Sequence, residues 1–60
     1  MGIMCSTVTE TGLVTFDLGV GDDGRALYRV AWWNGNTWGE SYYRSFKTAC
    51  KTYKFICRMI

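Results

Sequence analysis

Three arginines and three large aromatic residues carry the contact chemistry of this sequence: Arg25, Arg29 and Arg44, with Trp33, Trp38 and Tyr42. Guanidinium groups offer flat arrays of donors, and indole and phenol rings offer area with few rotatable bonds. That set suits adhesion to another surface. A second cationic set, Lys47, Lys51, Lys54 and Arg58, recurs every three or four residues near the C-terminus. It suits phosphate, an acidic protein surface or anionic lipid.

Catalytic chemistry is poorly supplied. There is no histidine, so acid–base work falls to five carboxylates. Glu10, Asp22 and Asp23 stand in turn sequences open to water. Asp17 and Glu40 are expected to share a sheet face, with no pocket there to tune them. Gly19, Gly21 and Gly24 flank a hairpin rather than a strand-to-helix turn, which excludes a phosphate-binding loop. The chain reads as a non-enzyme. Cys5, Cys50 and Cys57 form an odd set without a secretion signal, the usage of reduced thiols in a cytoplasmic protein. On a helix, Cys50 and Cys57 stand roughly 10 Å apart, beyond disulfide reach. Three thiols without histidine do not complete a structural zinc set, so neither metal nor cofactor is expected. The cysteines read as small buried hydrophobes.

Sixty residues make a single domain, 1–60, near the lower size limit for a self-sufficient core. A hydrophobic content of 48% with 17% aromatic residues excludes disorder, and no apolar run approaches the ~20 residues of a membrane span. Charge is divided along the chain. Residues 1–40 hold five acids against Arg25 and Arg29, net −3; residues 41–60 hold five cations and no acid, net +5, which together give +2.

Turn residues cut the first three quarters of the chain into four strands, about 3–9, 13–20, 25–33 and 36–46. Glu10-Thr11-Gly12 and Asp22-Asp23-Gly24 read as three-residue hairpin loops with glycine in the left-handed position. Asn34-Gly35 reads as a two-residue type I′ turn. These loops set the register. They pair Val20 with Ala26, Leu18 with Tyr28 and Phe16 with Val30, and they place Ala31 opposite Trp38 and Arg29 opposite Glu40. One apolar face results, with Met4, Val8, Val14, Phe16, Leu18, Val20, Ala26, Tyr28, Val30, Trp32 and Tyr43. From 48 to 59 the period changes. Ala49, Cys50, Tyr53, Ile56, Cys57 and Ile60 recur at helical spacing opposite the basic stripe, with Ser45 or Thr48 as N-cap. The fold class is therefore α+β, a four-stranded antiparallel meander with one C-terminal amphipathic helix on one face.

The other face carries Leu13, Asp17, Arg25, Leu27, Arg29, Ala31, Trp33, Trp38, Glu40, Tyr42 and Arg44. A solvated face is normally threonine, serine, lysine and glutamate, so this one is expected to contact something.

From Tyr28 onward, the order strand, tight turn, strand, Ser45-Phe46-Lys47-Thr48, helix resembles the small DNA-binding modules at the N-termini of phage-type tyrosine integrases. That resemblance implies three strands on one helix and DNA bound by the sheet. The sequence departs from it by lacking basic residues along the second strand and by placing acids in both leading turns. The YRVAWW…TW run resembles chromodomain-like strands without their aromatic-cage spacing.

The expected function is a small protein-binding module that occupies a partner surface, as an inhibitor or modulator of the phage or mobile-element accessory kind. Self-association into a homodimer or higher homo-oligomer is expected, with no membrane. The alternative is nucleic-acid binding through the arginine and aromatic face and the basic helix stripe.

Overall fold

A computed structural model describes residues 2–60. Four strands run in sequence order across one antiparallel sheet: β1 (Gly2–Val8), β2 (Leu13–Val20), β3 (Ala26–Trp33) and β4 (Trp38–Tyr43). The helix α1 (Phe46–Met59) packs on β2, β3 and β4. This is the expected α+β meander.

The β2–β3 hairpin forms as its loop residues dictate. Gly24 has φ +78°, Gly21 N–H donates to the Arg25 carbonyl (2.8 Å), and Gly24 N–H donates to that of Gly21 (3.0 Å). The resulting register pairs Val20 with Ala26, Leu18 with Tyr28 and Phe16 with Val30, as expected.

The β3–β4 turn differs. Gly35 takes φ +90°, but Asn34 does not enter the left-handed region. Instead the Asn34 side-chain oxygen accepts from Asn36 N–H (2.9 Å) and Thr37 N–H (2.7 Å). Asn34 N–H closes the loop on the Thr37 carbonyl. The central pair is thus Gly35-Asn36, with glycine first, the arrangement of a type II′ turn. Pairing slides by two residues, so Trp33, not Ala31, faces Trp38, and Tyr42, not Glu40, faces Arg29. A slip of two keeps every side chain on its expected face.

In β1 the slip is by one, which exchanges the faces. The loop is the two residues Glu10-Thr11, with Thr9 N–H bonded to the Gly12 carbonyl and Gly12 N–H to the Thr9 hydroxyl, both 2.9 Å. Val8 therefore pairs with Leu13 on the open face, and Thr7 takes its place beneath the helix. There the Thr7 hydroxyl makes a short hydrogen bond with the Tyr53 phenol. A bulge between Ile3 and Cys5 brings Met4 back to the helix side beside Cys5. Gly12 serves proximity rather than left-handed φ, because a Cβ there would lie 1.6 Å from the Trp33 carbonyl oxygen.

The fourth strand is shorter than 36–46, because Ser45 acts as the N-cap and accepts from Thr48 N–H (3.3 Å). Phe46 follows as the first helical residue, about half exposed. It joins an aromatic cluster with Phe16 and Tyr28, at ring-centroid distances of 5.8 and 5.5 Å. Val14, Phe16, Val30 and Ala49 form the buried core, with Tyr28, Trp32, Tyr43, Cys50, Tyr53, Ile56, Cys57 and Ile60 packed around them. Burial of Val14, Phe16 and Val30 contributes about 1.5–3 kcal/mol each. The apolar face outruns its cover: Leu18 and Val20, expected in the core, are exposed, as are Phe55 and Met59 on the outer helix surface. Cys50 and Cys57 are half-buried and Cys5 is exposed rather than buried; all three are free thiols. No helix among the described residues is long and apolar enough to cross a membrane.

Burial pushes the Tyr53 phenol up to about 12 from an ordinary 10, outweighing the Thr7 bond that lowers it, while Cys5 and Cys57 add to the rise. A proton held more tightly in the folded state stabilises it fully below pH 10, and that contribution is lost as pH climbs towards 12. Urea titrations across this range are expected to show a fall in stability that is shallower in Tyr53→Phe. Gly12→Ala, which drives a methyl group into backbone, is expected to cost about 2 kcal/mol or more in the same assay.

Candidate functional site

On the open face the register lines side chains up in rows across all four strands. Val8, Leu13, Trp33 and Trp38 form one row. All four are exposed, Val8 at 83% and Trp38 at 56%. The next row is Ser6, Thr15, Ala31 and Glu40, and the third is Ile3, Asp17, Arg29 and Tyr42. An exposed apolar ladder spanning a whole sheet is unusual for a solvated surface.

An ionic cluster lies beside that ladder. Arg29 Nη1 donates to Asp17 Oδ2 at 2.6 Å, directly across the β2–β3 pair. Its Nε donates to Glu40 Oε2 at 2.7 Å, diagonally across β3–β4. The expected Arg29–Glu40 attraction is present, and long side chains reach the diagonal position easily. The Glu40 bond first, and Asp17 after it, hold the Arg29 proton even more firmly than usual. The guanidinium carbon sits 5.5 Å from the centre of the Trp38 ring, within cation–π range.

Asp17 is the surprise of this cluster. Expected as an open carboxylate, it is only 5% exposed, and its Oδ1 lacks a hydrogen-bond partner among the described residues. A buried carboxylate with one unmet oxygen costs stability. What that cost secures is orientation: Asp17 anchors Arg29, and Arg29 supports the Trp38 ring. Held this way, the ring loses less freedom when something docks on it. Ala31, expected on the same face, is fully buried among its larger neighbours.

The six expected contact residues thus divide into two groups. Arg29, Trp33, Trp38 and Tyr42 come together in the first and third rows, with the Arg29 guanidinium reaching across the second to the Trp38 ring. Arg25 and Arg44 belong to the far end, at the β2–β3 turn, where Arg44 Nη1 donates to Asp23 Oδ1 (2.9 Å) and Arg25 N–H donates to the same oxygen (3.1 Å). The Arg25 backbone bond foremost, with Arg44 adding to it, holds the Asp23 carboxyl below its ordinary value. Three residues of the face escaped the sequence reading, Val8, Ser6 and Ile3. Val8 and Ser6 reach it through the one-residue slip in β1, which the Thr9–Gly12 turn encodes only through a side-chain hydrogen bond, and Ile3 is kept on it by the bulge between Ile3 and Cys5.

The helix stripe is as expected. Lys47, Lys51, Lys54 and Arg58 are exposed, and none forms an ion pair among the described residues. The described residues hold no cluster of side chains arranged to bind a metal. No protein-family model matches the chain, and comparison with curated proteins and with solved structures likewise gives no significant match.

The cluster's two ion pairs are expected to differ sharply in worth. Arg29→Ala, which breaks both and strands the buried Asp17, is expected to cost about 2–4 kcal/mol, whereas Glu40→Ala, which removes only the exposed bond, costs less than about 1 kcal/mol. Urea denaturation of both variants, with the Asp17→Val/Arg29→Met double variant recovering most of the loss, checks the assignment.

Proposed function

We propose that the chain is a non-catalytic binding module that works by laying its open sheet face against another protein. The observation that carries this reading is the exposed row Val8, Leu13, Trp33 and Trp38, backed by a charge cluster whose ion pairs close within the chain. An apolar row flanked by two acids that share one arginine, net −1, favours contact with an apolar protein surface over contact with a polyanion. Tryptophan, tyrosine and arginine are the residues that dominate such contacts when fixed in place. The same face is compatible with a second copy, because a neutral apolar ladder complements itself across a two-fold axis. Occupying a surface in this way suits an inhibitor or modulator of a larger assembly, the role of many phage and mobile-element accessory proteins.

A second reading rests on a different element. The four unpaired cations of α1 form one continuous exposed stripe, which favours nucleic acid or another polyanion there rather than on the sheet. Arg29 and Arg44 are less free to stack on bases because acids already hold them.

Trp38→Ala with Tyr42→Ala is expected to weaken a complex by about 2 kcal/mol or more, roughly 30-fold, while the fold persists. Light scattering at micromolar concentration reads self-association. Capture from the native host, wild type against variant with nuclease treatment, reads other partners. An unchanged oligomer and an unchanged set of captured proteins would sink the proposal. Nuclease-sensitive capture that Lys51→Ala and Lys54→Ala abolish would transfer the function to the helix.

A further inference from the structure

The helix side of the sheet has a second feature, far from the docking face. Because α1 packs on β2, β3 and β4, a groove of about 270 Å³ remains between the helix and β1. Met4 and Cys5 form its strand wall, Phe16 its floor, and Phe46, Cys50 and Tyr53 its helix wall. The bulge in β1 is what turns both Met4 and Cys5 towards it. Lys54, exposed, supplies the only charge in the lining.

The charge around this groove has one sign. Lys47 and Lys54 stand three residues before and four after Cys50, so they flank it on the helix surface. Lys51 and Arg58 continue the same stripe, and residues 41–60 contain no acid. The first turn of the helix, where Phe46 lines the groove, also lacks an acidic residue. All five acids are accounted for elsewhere. Asp17 and Glu40 belong to the open face, Asp22 and Asp23 to the β2–β3 turn, and Glu10 to the β1–β2 turn. An apolar slot edged by unpaired cations complements a molecule with an apolar body and one anionic end.

We infer that this groove binds a medium-chain fatty acid, its hydrocarbon chain between Met4, Phe16 and Phe46 and its carboxylate towards Lys54 and Lys47. The volume lies just below the ~300 Å³ at which small-molecule sites begin, which suits a single flexible chain better than a fused-ring ligand. A neutral hydrophobe leaves the cations unused. The groove and the docking face lie on opposite sides of the sheet, so this inference stands whether or not the face binds protein.

Three probes with the same tail separate the contributions: decanoate, decanol and decyltrimethylammonium. With ¹³C-methyl methionine labelling, Met4 reports the groove, while Met59, exposed on the outer helix surface, reports non-specific adsorption. Saturable movement of the Met4 signal with Met59 unmoved is expected. Decanoate should bind roughly two- to fivefold tighter than decanol, as exposed charge pairs allow, and the cationic probe should bind weakest. Lys54→Glu should reverse the order of anion and cation, and Phe46→Glu should abolish decanoate binding as read at Met4, each with an unchanged circular dichroism spectrum. Equal affinity for the three probes, or equal movement of Met4 and Met59, would overturn the assignment. So would a response to anionic phospholipid vesicles without one to decanoate.

Discussion

Gly24, at φ +78°, closes the loop that sets β2 against β3, and the rest of the molecule depends on that pairing. It places Phe16 across from Val30 on one side of the sheet and Asp17 across from Arg29 on the other. The first pair becomes the floor on which α1 rests. The second becomes the anchor of the open face. Because side chains alternate strictly along a strand, a one-residue error here would split both pairs, setting Arg29 on the face of Phe16 and Val30 on the face of Asp17. Both sides of the protein are thus consequences of one turn.

The helix completes only part of what the sheet offers. At 14 residues it spans about 21 Å, and its packing face is narrow, so it covers β2 to β4. Leu18 and Val20 lie outside its shadow, and the groove opens beside the Met4–Cys5 end of β1, beyond the Thr7–Tyr53 bond. A chain of this length has too little material to close every side of its core. Its unclosed parts differ in character, however: the open face is apolar with its charges paired internally, and the groove is apolar with its charges unpaired. That difference separates the protein-docking face we propose from the proposed site for an anionic amphiphile.

Local signals in the chain revealed the architecture to the extent that they were backbone signals. Asp22-Asp23-Gly24 marks its loop because only glycine enters the left-handed region cheaply. The helix face from Ala49 to Ile60 is visible as a period, and Ser45 as a cap. The assignment of Trp33, Trp38 and Tyr42 to one face survived an incorrect turn, since Asn34 displaced the loop by one residue and the pairing by two. Val8 had no such protection. Its face depended on whether Thr9 or Gly12 governed the first turn, and the deciding hydrogen bond joins a hydroxyl to a backbone N–H across that turn.

What the sequence by itself determined is the list of elements, the two faces of β2, β3 and β4, and the absence of histidine-based chemistry. These depend on alternation, period and turn preference, which are properties of neighbours along the chain. The burial of Asp17, the stacking of Arg29 against Trp38 and the groove between β1 and α1 were decided only by tertiary structure. Each depends on distances between segments far apart in sequence, and on how far a 14-residue helix reaches across four strands. No local pattern records that.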